Sequence, residues 1–236
     1  MRALFVQHDH VSPTGPVADR LRERGFEVDE ILVVDEANFA TPNVPFAFPD
    51  LADYDLIVPM GSPWGAWDDA CIGNWLLPEV EWVGEAIARD IPVLGICFGG
   101  QLISRALGGT VSRAPKAEIG WTAIHTDDAT LVSAGPWFHF HYDRWTVPEG
   151  ATEIARNAVA SQAFTVGRSL AVQFHPELTG DMLEGWLRDG GTEQVVADGQ
   201  DPAAMLAHTR AEERAATQRT IELVDAFLDR VAKLEP

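Results

Sequence analysis

Cysteine is scarce in this chain: of 236 residues, only Cys71 and Cys97 carry a thiol. Two cysteines make no disulfide framework, so stability must come from a packed core and each thiol is judged as a free group. Basic residues are also few, with 17 Lys plus Arg against 36 Asp plus Glu, a formal charge of −19 and a pI near 4.5. Such an acidic chain repels a phosphate backbone, which excludes nucleic acid as a main partner. No apolar run approaches membrane length. The segment Met1–Asp9 holds only a few apolar residues before a charged turn, so neither a signal peptide nor a membrane anchor is expected, and a reducing cytoplasm is the expected location. Internal repeats, low-complexity stretches and a nucleotide-binding loop of the G-x-x-x-x-G-K kind are all missing.

What is present is ample material for one large domain. Hydrophobic residues make up 46% of the chain, and at this length roughly 70 to 75% of the unfolded surface can be buried. The first half alternates short apolar runs with helical segments, the pattern of a parallel sheet flanked by helices. Arg2–Gln7 reads as a strand, Pro16–Arg24 as a helix ended by Gly25, and Phe26–Val34 as a second strand. A proline- and phenylalanine-rich loop spans Asp35–Asp50, and Leu56–Val58 is a third apolar run. A helix is expected over Asn74–Arg89 with Val80, Val83 and Ile87 on its buried face. Pro92–Ile96 is a fourth run, and Phe98–Leu107 continues as a helix closed by Gly108-Gly109. Shorter strands fill 110–174, giving a small antiparallel portion, and Thr179–Arg188 and Pro202–Lys233 are helical.

Three short motifs carry chemistry. Gly95-Ile96-Cys97-Phe98-Gly99-Gly100-Gln101 sets one residue at a sharp strand-to-helix junction, a nucleophile elbow with cysteine in place of serine. The two glycines let strand and helix approach, and the helix amino terminus favours a thiolate; the other reading of Cys97 is a small buried hydrophobe. Downstream, Gln173-Phe174-His175-Pro176-Glu177 ends another apolar run. Strand carboxyl ends share one edge of a parallel sheet, which brings His175 within reach of Cys97, with Glu177 holding the imidazole; a simple strand end is the alternative. Met60-Gly61-Ser62-Pro63 follows the third strand, where Gly61 allows a backbone N–H to face inward as half of an oxyanion hole, with the N–H of Phe98 as the other half. Taken alone, it reads equally as a plain turn.

Together, Gly61-Ser62-Pro63, Gly95-x-Cys97-x-Gly99-x-Gln101 and His175-Pro176-Glu177 resemble the class I (triad) glutamine amidotransferase family, and within it the free-standing relatives of the GMP synthase glutaminase domain. The resemblance covers roughly residues 1–185. It implies a flavodoxin-like α/β fold and hydrolysis of the glutamine side-chain amide through a γ-glutamyl thioester on Cys97. By the same resemblance His175 is the general base and acid, Glu177 orients it, and the N–H groups of Ser62 and Phe98 form the oxyanion hole. Gln101 contacts the bound glutamine beside Gly61, and His141-Tyr142-Asp143 lies along its α-amino and carboxylate end. Ser62 and Tyr142 stand where many members have glycine.

Residues 1–190 are therefore expected to form the amidotransferase domain and 191–236 a helical extension of it. The substrate is glutamine or a γ-glutamyl compound, and no cofactor is called for. Since an acceptor site is not evident in this chain, ammonia passes to a partner synthetase. Two rival readings are a γ-glutamyl peptide hydrolase acting alone and a catalytically silent regulatory or binding subunit. The pairs His8/His10 and His139/His141 each share a strand face, but no carboxylate cluster accompanies them in sequence and no metal is assigned. Cys71 sits among acidic residues and reads as inert. Trp64 and Trp67 follow the oxyanion loop as lid or partner-contact residues. The carboxy-terminal helix reads as a solvated face with a docking stripe, a homodimer contact being the second reading.

Overall fold

The computed structural model describes residues 1–234, so the last two residues of the expected 191–236 extension lie outside the described residues. The elements in chain order are β1 (Arg2–Gln7), α1 (Gly15–Glu23), β2 (Glu27–Leu32), β3 (Leu56–Pro59), α2 (Asp69–Ala88), β4 (Leu94–Ile96), α3 (Phe98–Ala106), β5 (Val111–Thr122), β6 (His125–Thr126), β7 (Trp137–Trp145), β8 (Thr152–Arg156), β9 (Ser161–Val166), β10 (Ser169–Val172), α4 (Gly180–Trp186), α5 (Thr192–Ala197) and α6 (Pro202–Ala226). β2, β1 and β3 pair in parallel, a parallel bridge from Ile57 to Val93 carries the sheet to β4, and β4 pairs in parallel with β10. The antiparallel strands β9, β8 and β6 extend the same sheet, while β5 and β7 form a separate ribbon. The fold is α/β, a parallel sheet with an antiparallel portion.

β1 is buried on both faces, and its side chains divide between two cores by strand alternation. Ala3 and Phe5 join Val17 and Leu21 of α1 and Leu223, Val224 and Phe227 of the carboxy-terminal helix. Leu4 and Val6 join Trp75 and Val83 of α2 and Leu102 and Ile103 of α3. The result is a sheet with helices on both faces. β2 alternates Glu27, Asp29 and Glu30 with apolar residues and lies at the sheet edge, where charge discourages pairing with another chain.

Three expectations need adjustment. α2 begins at Asp69 and not Asn74, because the Asp68 side chain accepts from the Cys71 N–H at 3.2 Å and caps it one turn earlier. Its buried face is Ile72, Trp75, Leu76, Glu79, Trp82, Val83 and Ala86, with Val80 and Ile87 only half-buried beside it. The helix read as 179–188 ends at Trp186, and the chain kinks at Asp189-Gly190, where Gly190 takes φ 101°.

α6 docks on its own chain. Arg20 of α1 and Arg24 at its carboxyl cap converge on Asp225, at 2.8 and 2.7 Å, and the apolar stripe of α6 completes the core beneath β1. Two charged residues read as solvated have structural partners: Arg219 lies over Trp121 and Trp137, and Glu213 accepts from the Gly180 N–H at 2.8 Å. No helix among the described residues is long and apolar enough to cross a membrane.

α3 meets β3 so closely that a Cβ on Gly99 would strike the Pro59 carbonyl, and one on Gly95 would come within 2.6 Å of Gly99. Backbone atoms cannot give way as a side chain does. Gly99→Ala is expected to lower stability by about 1–3 kcal/mol in a denaturant titration; an unchanged midpoint would show that the strand and helix can separate freely.

Candidate active site

Cys97 stands between β4 and α3 with φ 51° and ψ −104°, outside the comfortable regions for a residue with a Cβ. The turn is held on both sides. The Cys97 N–H donates to Val172 of β10 at 2.7 Å, its carbonyl accepts from Gln101 at 3.1 Å, and the Gly99 N–H donates to Met60 at 3.0 Å. The thiol is thereby presented at the first turn of α3 in a 5% exposed position.

His175 follows β10, and its N–H donates to Phe138 of β7 at 2.8 Å. Its Nδ1 lies 2.7 Å from Glu177 Oε1, both side chains being buried. Burial pushes the imidazole toward its neutral form, yet the Glu177 carboxylate and the Cys97 sulfur together raise it to about 10. Trp186 packs edge-on against the ring at 5.0 Å. The turn itself is braced by α6, whose buried Thr220 donates its hydroxyl to the Pro176 carbonyl at 2.6 Å.

Gly61 is where the two motifs meet. A Cβ there would lie 3.0 Å from His175 Cε1 and 3.9 Å from Cys97 Cβ, so the loop after β3 closes directly over both side chains. Among the described residues the N–H groups of Ser62 and Phe98 donate to no other protein group.

One cavity of about 490 Å3 is lined by Gly61, Ser62, Cys97, Phe98, Gln101, His141, Tyr142, Asp143 and His175, with Glu177 behind His175. The residues named from the sequence therefore converge on one place. The remaining wall was not named from the sequence. Phe39, Phe140 and Trp186 add aromatic surface beside Trp64, and Arg113 reaches Asp143 at 3.5 Å while lying over Trp67 and Tyr142. Burial pushes the Asp143 carboxyl up, and Arg113 opposes it. Gln194 of α5 also lines the cavity and accepts from the Tyr142 hydroxyl at 3.1 Å, so the segment beyond residue 190 contributes to the wall. Trp64 lines the cavity, whereas Trp67 does not and is 40% exposed.

Gln173 is a further addition. It donates to the Cys97 sulfur at 3.5 Å and accepts from Gln101 at 3.3 Å, linking the nucleophile turn to α3. Its place two residues before His175 was the only sequence signal.

The histidine pairs need correcting, because carboxylates do accompany them in space. His8 contacts Glu79 of α2, and His10 lies 3.5 Å from Asp189. Glu118, His139 and His141 place one ligand atom each within 4.8 Å of one another, a geometry open to a metal. The two imidazoles are driven neutral, His139 to about 3 chiefly by burial and the nearby His141, His141 to about 4 chiefly by burial. Glu118 is already engaged by Asn157 and Gln162. At Cys71, burial leads and Asp68 adds to the upward push on the thiol.

The parallel α/β sheet thus carries a cysteine elbow, a carboxylate-bound histidine and a glycine turn at its carboxyl edge. The family model "Glutamine amidotransferase class-I" matches residues 16–188, and the chain belongs to that family. Among curated relatives, the glutamine amidotransferase-like protein chyE of Penicillium rubens is 34% identical over 62% of this chain and 65% of its own length. A GMP synthase [glutamine-hydrolyzing] of Aeropyrum pernix is 30% identical over 60% of this chain and 28% of its own length. The gamma-glutamyl-L-1-hydroxyisopropylamide hydrolase of a Pseudomonas species is 34% identical over 63% and 55%. The match thus spans under two thirds of each of these three proteins. A solved glutamine amidotransferase from Thermotoga maritima shares the fold with a TM-score of 0.80, at 24% identity over 97% of this chain and 98% of that one.

The Glu177 carboxylate favours the imidazolium, so its removal must lower the His175 pKa. In Glu177→Gln, the His175 ionisation followed by NMR is expected to fall from about 10 toward the ordinary imidazole range. A titration that stays near 10 would show that the carboxylate is not the cause.

Proposed function

We propose that this chain hydrolyses the side-chain amide of glutamine through a thioester on Cys97 and supplies the ammonia to a partner synthetase. The observation that carries the reading is the strained Cys97 turn, closed over by Gly61 and set beside a His175 that Glu177 keeps charged.

In this reading the Cys97 sulfur attacks the amide carbon, and the tetrahedral oxyanion is received by the N–H groups of Ser62 and Phe98. His175 donates its proton to the departing nitrogen, the C–N bond breaks, and ammonia leaves. Water then attacks the thioester, His175 takes the proton from it, and glutamate is released as the sulfur is freed. Gln101, Gly61 and the stretch His141-Tyr142-Asp143 bound the amino-acid end of the substrate, with Asp143 suited to its α-ammonium group. The acidic chain repels a phosphorylated acceptor at long range, in keeping with an acceptor held by another protein. The GMP synthase of Aeropyrum pernix, of whose length the match covers 28%, supports a link between such a region and a synthetase. We assign residues 1–190 and 191–236 to one domain, because both contribute to a shared core. A free thiol that must stay reduced suits the cytoplasm.

A second reading is favoured by the aromatic wall. Phe39, Trp64, Phe140, Tyr142 and Trp186 offer apolar surface beyond what a carboxamide NH2 would use, in a cavity whose size is typical of larger ligands. In that case the enzyme cleaves a γ-glutamyl amide with an apolar substituent and needs no partner; the name of the Pseudomonas relative gives a substituted γ-glutamyl amide as what that protein hydrolyses.

Purified protein is expected to form glutamate and ammonia from glutamine, and Cys97→Ala to lose more than about 10³-fold in kcat. Turnover that survives Cys97→Ala would refute both hydrolytic readings. A γ-glutamyl alkylamide turned over faster than glutamine would favour the second, and equal or slower turnover would reject it.

A further inference from the structure

Among the buried ionisable groups that the proposed chemistry does not use, His8 stands directly behind the loop after β3. His8 follows β1, is fully buried, and contacts two groups that are remote in sequence. Its Nδ1 lies 2.9 Å from the Gly61 carbonyl, and its Nε2 lies 3.0 Å from both carboxylate oxygens of Glu79 on α2, itself fully buried. Since a carbonyl oxygen only accepts, Nδ1 must carry a proton. The ring packs in one aromatic cluster with Trp75 at 5.4 Å and Phe98 at 4.7 Å, so it touches Phe98, whose N–H is one expected oxyanion donor, as well as the carbonyl of the peptide that carries the other.

A trans peptide points its C=O and N–H in opposite directions. Gly61 and Ser62 line the cavity and His8 does not, so a Gly61 carbonyl tied back to His8 turns the Ser62 N–H toward the cavity. We propose that His8, anchored by Glu79, is a positioning residue that fixes the Gly61–Ser62 peptide with its N–H directed at the developing oxyanion. This inference rests on the amidase reading above. It adds a reason for a buried ion-pairing residue on α2, a place where an apolar side chain would otherwise pack at lower desolvation cost.

Two isosteric replacements separate the two contacts of the ring. His8→Asn keeps a donor at the Nδ1 position, toward Gly61, and abandons Glu79. His8→Gln reaches toward Glu79 and abandons Gly61. The expected result is opposite orderings of stability and activity. His8→Asn melts lower because the Glu79 carboxylate loses its partner, yet retains kcat within about threefold. His8→Gln melts higher than His8→Asn but loses at least about tenfold in kcat with KM little changed, the size expected when an oxyanion donor is misplaced. Alkylation of Cys97 by iodoacetamide passes through no oxyanion and is expected to proceed at the wild-type rate in both variants. Activities that follow stability, or a kcat of His8→Gln equal to that of His8→Asn, would overturn the proposal while leaving the amidase reading intact. Loss of alkylation together with turnover would equally overturn it, by showing a general disturbance of the thiol. If Cys97→Ala retains full turnover, the amidase reading itself fails and this inference falls with it.

Discussion

Everything at the site depends on holding a residue with a side chain in a backbone conformation that it resists. Cys97 adopts a positive φ at the junction where β4 runs directly into the closely packed α3. The approach is possible only with glycine at 95 and 99. Hydrogen bonds to Val172, Met60 and Gln101 then fix the turn from three directions. A few kcal/mol of local strain is stable here because the parallel sheet on one side and the helix on the other are both fully packed. The strain has a consequence for chemistry, since it lifts the thiol out of the helix axis and into the cavity.

The second organising influence is electrostatic, and it acts at short range inside an otherwise acidic molecule. The chain carries a net charge of −19, but surface charge is screened within about 8 Å at physiological salt and contributes little at the sulfur. What matters there are two close partners. The Glu177 carboxylate and the Cys97 sulfur together overcome the burial of His175 and raise its pKa to about 10. A comparable pairing recurs behind the loop that follows β3, where Glu79 overcomes the burial of His8 and raises its pKa. Two buried histidine–carboxylate pairs thus flank Gly61, one beside Cys97 and one behind its carbonyl.

Much of the fold was legible in sequence, because fully buried parallel strands leave apolar runs and helices between them leave spaced apolar residues. β1, β3, β4 and α3 follow from such signals. The start of α2 did not, because its first turn is polar and depends on the Asp68 cap. The elbow and the His-Pro-Glu turn were legible for a different reason: each is a local motif in which glycine or a fixed spacing serves one geometry. Arg113, Trp186 and Glu118 were not singled out, since nothing near them in the chain distinguishes them from ordinary core or surface residues, and Gln173 stood in the His175 motif with no role attached to it.

Chain order and local chemistry therefore determined the class of fold, the family and the short motifs of the site, since each is written in contiguous residues. Only tertiary structure decided which distant groups share a hydrogen bond: Glu79 with His8, Thr220 with Pro176, Gln194 with Tyr142 and Glu118 near His139 and His141. It also decided that the carboxy-terminal helix docks on its own chain and braces the His175 turn. The reason is that a sequence pattern reports which face of an element is buried, whereas the partner on that face is set by how the layers stack.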